Sequence, residues 1–600
     1  MKHVYLFQPQ YTIVFNSKLS NWIPYSVGVL WNYVSQYKEI TTNFVLKDLF
    51  FKRNPISEIL DRLENPKVCG FSCYIWNIKY CLKAAEEIKK KWPDCFIIFG
   101  GPEMSKRYLQ HDYIDSIILG EGEEAFANIL KKLIANEEVE RLVPKQRLID
   151  LSHDGPYSAG IFDKLLEENP DVIWNVTIET NRGCPYSCSF CDWGSLTYSK
   201  VKKFGLESIK KELDWIRNKP IGYLMVADAN FGIFKERDLE LAKLLKDAAD
   251  DSSVDVINVQ GAKNSTELAF EIEQILGDKA IGVTIALQSM NPATLDAIHR
   301  KNLPINDVQE LIRLSEKYNV PSYSELLLGL PEETKESWCK GLCDLLELGQ
   351  HNALEIWFTQ LLENSELSQP ESREKYQIKS GIYVNYFNFK EYKKNNHDGI
   401  LEEIELVNGT STMTTEEMAE AYAYGWLIIQ WHIIGYTQII SKYLRFSKNI
   451  SYREFYDHTL IKMQSHPIFS KQYNSIKDNA YSYLSTGVFI DEELNAGHAL
   501  HTATREWMYA NKEEAFKFIY EVGNDFAEIP KWVFTLQKSF LNDETFSYPI
   551  IIDGDYNLLL QVEEQVTYSI APKNTIITEG ARGRRSGTLK NIISIVDNYN

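Results

Sequence analysis

Residues 181–194 read Asn181-Arg182-Gly183-Cys184-Pro185-Tyr186-Ser187-Cys188-Ser189-Phe190-Cys191-Asp192-Trp193-Gly194. The spacing, three residues and then two between cysteines, puts three thiols on one loop. Thiolates are the usual ligands of iron–sulfur clusters, and so short a spacing lets one turn wrap a cuboidal cluster. Three ligands leave the fourth iron open to a chelating small molecule. A zinc site short of one ligand is the alternative. Asp192 could be offered as its fourth ligand, although structural zinc sites more often use four Cys or His.

The loop follows an apolar strand predicted at 173–179, the first of a series. Further strands are predicted at 222–228, 254–260, 281–288, 322–328 and 354–358, separated by helices near 206–217, 237–249, 266–276, 306–318 and 335–348. Such repeats predict a partial (β/α)6 barrel of the TIM type, whose ligands gather at the carboxyl ends of the strands. Upstream, apolar runs at 4–8, 44–46, 67–72, 95–99 and 116–119 alternate with helical patterns near 24–37, 56–63, 78–91 and 123–135. That alternation predicts a doubly wound parallel sheet, Rossmann- or flavodoxin-like, so the fold class is α/β. Turns at its strand ends are Gly100-Gly101-Pro102-Glu103 and Gly120-Glu121-Gly122-Glu123. Glycine there lets the backbone approach a ligand or take a positive φ. Residues 141–172, with Pro144, Pro156 and Pro170, read as a connector. Beyond 375 the alternation ceases, and an aromatic-rich region is predicted to be mainly helical between about 415 and 540.

A chain of 600 residues exceeds one core and predicts three or four domains. Its 64 basic residues against 83 acidic ones give a net charge of −19, which argues against general affinity for nucleic acid. The beginning of the chain reads as a strand rather than a signal peptide. The apolar run at 426–440 is short and interrupted by Gln430, His432 and Gln438, so it predicts a buried helix and no membrane partner. Nine clustered cysteines point to a reducing compartment, with a cytoplasmic location expected. Cys69, Cys81 and Cys95, on predicted elements of the first sheet, read as core thiols.

Taken in order, the cysteine loop, Ala227-Asp228-Ala229-Asn230, Ala286-Leu287-Gln288-Ser289 and Glu325-Leu326-Leu327-Leu328-Gly329-Leu330-Pro331 resemble the radical S-adenosylmethionine (SAM) superfamily. The resemblance implies a [4Fe–4S] cluster on Cys184, Cys188 and Cys191. It also implies SAM contacts from Phe190, Asp228, Asn230, Gln288, Ser289 and Glu325, with Asp228 near the methionine amino group; Lys263 and Asn264 are further candidates. The sheet in front is similar to the cobalamin-binding domain of the cobalamin-dependent (class B) members. That similarity rests on the loop with Ser72, Tyr74 and Trp76, on Gly100, Gly101, Pro102 and Glu103, on Gly120, Glu121, Gly122 and Glu123, and on the bridge 155–163. It implies that these turns hold cobalamin. No Asp-x-His-x-x-Gly sequence supplies a histidine to cobalt, and Tyr74, Ile75 and Trp76 are predicted to cover the lower face instead.

The resemblance spans about residues 1–370. It implies a cobalamin domain at 1–140, the connector at 141–172, the radical SAM barrel at 173–375 and a mainly helical, substrate-capping domain at 376–600. The implied activity is a methyltransferase acting through a 5′-deoxyadenosyl radical, which moves a methyl group from methylcobalamin to an unactivated carbon of a natural-product intermediate or peptide. An electron donor such as flavodoxin or ferredoxin is the implied partner. Two alternatives stay open: a rearrangement or cyclisation with the same cofactors, and a non-catalytic cobalamin or redox sensor, which has little use for an open-iron triplet. Trp431 and His432 are candidates for the substrate pocket, with core packing as the competing role.

Overall fold

Lys2–Gln10 is the strand around which the N-terminal sheet is ordered. Its alternate residues serve two cores: Val4 and Leu6 face one, Tyr5 and Phe7 the other. Burial on both faces is what a parallel sheet covered by helices requires. Phe7 stacks on Phe50 of strand Phe44–Lys52 at 4.5 Å and on Phe71 of strand Pro66–Ser72 at 4.4 Å, which joins the three strands through one aromatic stack. In the computed structural model the described residues are 1–540 and three short strands beyond, at 550–551, 568–570 and 593–595. Within 1–540 the exceptions are 16–17, 149, 152–153, 194–199, 263–266, 319, 352, 386–397, 491–503, 505–506 and 509.

The sheet runs Phe44–Lys52, Lys2–Gln10, Pro66–Ser72, Phe96–Gly100, Ser116–Gly120, Leu142–Gln146, all parallel. In chain order that is the flavodoxin-like arrangement, with its topological switch between Lys2–Gln10 and Pro66–Ser72. Gln8, two residues from the end of Lys2–Gln10, accepts from the N–H groups of Ser26 and Val27 at 3.0 and 3.5 Å. Helix Tyr25–Ser35 begins after Pro24, which offers no side-chain cap, so Gln8 supplies the missing acceptor. Helix Ile78–Lys91 is capped from far away in sequence, because the Glu402 carboxylate accepts from the N–H groups of Lys79 and Tyr80.

The barrel strands are Val172–Ile178, Ile221–Phe231, Val256–Gly261, Val283–Gln288, Ser322–Leu328 and Leu354–Phe358. They form two hydrogen-bonded groups of three rather than one closed wall. The first group is extended by the hairpin Ile13–Phe15 and Lys18–Trp22, whose second strand pairs in parallel with Val172–Ile178. A strand from the N-terminal region thus belongs to the barrel sheet, and Leu142–Gln146, in the expected connector, completes the N-terminal sheet. Both are short and lack clean alternation, so periodicity passes over them.

Helices Thr415–Leu427, Gln438–Lys448, Tyr452–Ser465, Phe469–Thr486, Lys512–Phe526 and Lys531–Phe540 form the third region. Ser and Thr begin two of them through capping boxes, Thr414 with Glu417 and Ser451 with Glu454. An antiparallel pair that the sequence reading lacked, Lys379–Val384 with Glu403–Gly409, lies between barrel and helices. Among the described residues no helix is long and apolar enough to cross a membrane.

Candidate active site

The cysteine loop leaves strand Val172–Ile178 through Thr180 and Asn181, and Asp228 fixes that departure. Its carboxylate, 1% exposed, accepts from the Thr180 N–H at 2.7 Å, the Asn181 N–H at 3.0 Å, the Asn181 side-chain amide at 2.7 Å and the Thr180 hydroxyl. Desolvation outweighs these donors and pushes its pKa up to about 7. Asp228 therefore holds the base of the loop, and the four donors occupy the carboxylate that the resemblance assigns to the methionine amino group.

Cys184 and Cys188 are buried and Cys191 is half-buried, and none of the nine cysteines is in a disulfide. Two side chains reach the sulfurs, one from the end of strand Ile221–Phe231 and one from the loop after helix Pro292–Ala297. Asn230 donates its amide to Cys184 Sγ at 3.3 Å, and Arg300 directs Nη1 to Cys188 Sγ at 3.9 Å. Arg300 is held by the Ala286 carbonyl and, at 2.8 Å, by Asn302 Oδ1. Among the described residues, no group of three or more His, Cys, Asp or Glu side chains is placed to hold a single metal ion. Three buried polar atoms beside the loop lack a hydrogen-bond partner: Asn181 Oδ1, Ser189 Oγ and Asn230 Oδ1. Such atoms are rare unless a ligand or water completes them. The donor set and these orphaned atoms fit a cluster carrying a polar ligand.

Gln288 takes φ 68°, a left-handed conformation uncommon outside glycine, at the end of its strand. Next to it the Ser289 hydroxyl is bonded to Glu333 and accepts from the Asn291 N–H at 2.9 Å, so it holds a loop together. Glu325 lines a cleft with Gln260, Arg300 and Lys301 where the two strand groups meet. Phe190 packs against the cluster of Leu361, Leu367, Tyr376 and Val407. Lys263 and Asn264 lie outside the described residues.

On the N-terminal sheet, Ser72 and Gly100 are paired neighbours at the carboxyl ends of adjacent strands. Gly101 has φ 105°, and a Cβ there would come within 2.5 Å of the Cys73 carbonyl, so only glycine fits. Glu103 is 9% exposed and accepts from Arg107 at 2.8 Å and Tyr108 at 3.1 Å, yet burial pushes its carboxyl up to about 7. The rings of Tyr74 and Trp76 stack at 4.4 Å with a 10° tilt, and the buried Trp76 indole N–H has no partner. The Pro102 carbonyl accepts from Asn364 at 2.7 Å. Gly120 has φ 78°, and a Cβ on Gly122 would meet Leu30 at 2.9 Å. Glu121 and Glu123 turn toward the barrel: Arg182 lies 2.6 Å from Glu123 and 3.7 Å from Glu121, while gripping Glu179 at 2.8 and 2.7 Å. These two carboxylates thus tie the sheet to the cysteine loop.

Several anchoring residues were not recognisable from motifs. Arg182 stands inside the quoted cysteine stretch and Arg300 outside every quoted stretch, and neither carries a pattern of its own. Arg53, buried against Asp398 and Glu402, donates to the Trp76 carbonyl at 3.0 Å; its acidic partners are more than 300 residues away. Trp431 and His432 lie at 0% exposure within the helical core, on the π-helical turn Ile428–Ile433. His432 Nδ1 pairs with the Tyr456 hydroxyl at 2.6 Å and Nε2 with His351 at 2.8 Å, which makes both core residues rather than pocket residues.

The B12 binding domain family matches residues 26–130 and the Radical SAM superfamily matches 178–340. The chain is 31% identical over 469 residues to the cobalamin-dependent radical SAM methyltransferase TokK of Streptomyces tokunonensis, covering 72% of this chain and 67% of that one. It is also 31% identical over 463 residues to the 2-(S-pantetheinyl)-carbapenam-3-carboxylate methyltransferase of Streptantibioticus cattleyicolor, with 72% and 67% covered. A structure of the radical SAM methyltransferase TsrM from Kitasatospora setae, with cobalamin and a [4Fe–4S] cluster bound, shares the fold. Its TM-score is 0.51 at 13% identity, over 80% of this chain and 99% of that one. With cobalamin, SAM and a [4Fe–4S] cluster as its cofactors, the chain belongs to the cobalamin-dependent radical SAM methyltransferases.

Proposed function

We propose that this enzyme methylates an unactivated carbon of a small natural-product intermediate, with a thioether-bearing carbapenam carboxylate the first class to try. The chemical class comes from the relative of Streptantibioticus cattleyicolor, named for such a substrate. The observation that carries the reading is the meeting of two loops at one seam. The turn Gly100–Glu103 and the loop Ser189–Asp192 are both bonded to residues 363–367. Bound together, the cofactors supply a hydrogen-abstracting radical on one side of the substrate and a methyl group on the other, which is a problem of placement.

The chain's own residues do the placing. Cys184, Cys188 and Cys191 hold the cluster, with Asn230 and Arg300 orienting two of the thiolates. Gln288, at its strand end, and Glu325, which lines the cleft, take the nucleoside of SAM. Ser72, the turn Gly100–Glu103 and the glycines of the turn Gly120–Glu123 receive the corrin. The Tyr74–Trp76 stack would help to hold the corrin from the loop after Ser72. One-electron reduction by a flavodoxin or ferredoxin in the cytoplasm completes the scheme.

The test is product mass spectrometry after anaerobic incubation with methyl-deuterated SAM and candidate substrates. A product heavier by one deuterated methyl group supports the reading. An unlabelled, rearranged product would favour cyclisation or rearrangement with the same cofactors.

A further inference from the structure

Residues 361–369 belong to neither matched family region, yet they touch both cofactor loops. The Asn364 side-chain amide donates to the carbonyls of Pro102 and Met104 at 2.7 and 3.1 Å, so one NH2 group sets the curvature of the turn after Gly101. Glu363 adds the Ser105 hydroxyl and a 2.8 Å ion pair to Arg107. On the other side, the Asn364 backbone lies close enough to the Asp192 carboxyl, one residue beyond Cys191, to lower its pKa against the effect of burial. The Leu367 N–H donates to the Ser189 carbonyl at 2.7 Å, one residue beyond Cys188. Phe190, between the second and third cysteines, packs against the cluster that contains Leu361 and Leu367.

The segment is braced so that displacement on one side is felt on the other. Its Ser365 and Ser368 hydroxyls bond back to the Leu362, Glu363 and Ser365 carbonyls. The Leu361 N–H is tied to the Glu405 carbonyl at 2.9 Å. The turn it holds is stiff as well, because Gly101 packs directly on the Cys73 backbone. Cys191, the most exposed of the three cysteines, sits on the part of the loop nearest this strap.

We propose that the strap at 361–369 couples the two cofactor sites, with Asn364 as the positioning residue, so that cluster assembly and cobalamin binding reinforce one another. The coupling rests on the assignment of the turn Gly100–Glu103 and the cysteine loop as cofactor contacts, and is independent of the substrate. A ligand that orders either loop removes part of the ordering cost at the other, and such linkage is reciprocal.

The experiment titrates hydroxocobalamin into the full chain, with and without the anaerobically reconstituted cluster, and reads the ratio of the two affinities. In the unaltered protein the cluster tightens cobalamin binding by about fivefold or more. Asn364→Asp keeps the size, removes the donor and sets a carboxylate against two carbonyls; its ratio falls to within about twofold of unity. If thermal melting shows that Asn364→Asp does not fold, Asn364→Ala is read in the same way. A ratio of unity in the unaltered protein overturns the proposal. So does a variant that loses affinity in both states but keeps the ratio, which marks a purely structural residue. Absence of cobalamin binding in either state would instead overturn the cofactor assignment beneath it.

Discussion

The helical core and the cofactor seam each bury a network of polar side chains and each leave orphaned atoms, but they place them differently: Trp431 Nε1 and the Tyr452 hydroxyl sit among packed helices, those of the seam on strand-end loops. In the helical core His432 is bonded on one side to Tyr456 and on the other to His351, and neighbouring Trp431 is enclosed by the rings of Tyr436, Phe469 and Phe518. At the seam, Asn181, Ser189 and Asn230 each keep a buried atom without a partner, and Gln288 holds a left-handed backbone beside them. Both regions contain groups whose proton affinity is displaced by burial. Neither displacement nor a single orphaned atom therefore separates scaffold from site; several orphaned atoms gathered beside the cysteines on strand-end loops do.

The largest effect that tests this contrast is expected at Cys188. Cys188→Ala should reduce cluster iron and 5′-deoxyadenosine formation to background, measured by iron and sulfide analysis and by chromatography. A variant that keeps a competent cluster would break the ligand assignment. In the helical core the consequence should be stability alone. His432→Leu leaves Tyr456 and His351 short of a buried partner and should cost about 2–4 kcal/mol in denaturant unfolding. Cobalamin affinity of the folded variant should stay within about twofold. Lost affinity without lost stability would extend the site into the helices.

A smaller effect is expected at the turn. Gly101→Ala places a Cβ against the Cys73 carbonyl at positive φ. The strain, about 1–3 kcal/mol, should appear as cobalamin affinity weakened about tenfold or more, read by titration. An unchanged affinity would mean that this turn does not receive the corrin.

How much of this was legible in the sequence follows the range of each interaction. The barrel strands and the cysteine loop could be read because periodicity and spacing are local. The strands Ser322–Leu328 and Leu354–Phe358 fall where alternation put them. Asp228 was found by motif, but its bonds to Thr180 and Asn181 were not, since only coordinates reveal what surrounds its oxygens. Asn364 and Arg53 were invisible, because each acts on residues hundreds of positions away. The pairing of Lys18–Trp22 with Val172–Ile178 was lost for the same reason: a short strand signals nothing without its neighbour. Trp431 and His432 looked functional because aromatic and imidazole groups serve pockets and cores equally, and only burial decides.

The last contrast concerns pH, where the two regions should pull in opposite directions. Glu103 titrates near 7 in the folded chain, because burial outweighs Arg107 and Tyr108, against an ordinary value of 4.5. The folded state therefore holds a proton that the unfolded state has released, and stability should fall as pH rises between about 4.5 and 7. Glu363 and Asp192 face the same pocket, and Asp192 is pushed up to about 6, which adds to that slope. His351 and His432 are displaced downward from 6.5, chiefly by burial. Here the unfolded state binds the extra proton, so stability should fall as pH drops below about 6.5. Glu103→Gln removes one opponent. Compared with the unaltered protein, its unfolding free energy should decline less between pH 5 and 7.5, by about 1–2 kcal/mol in urea titrations. Identical slopes would mean that Arg107 keeps Glu103 ionised throughout, and that the seam is better solvated than its burial implies.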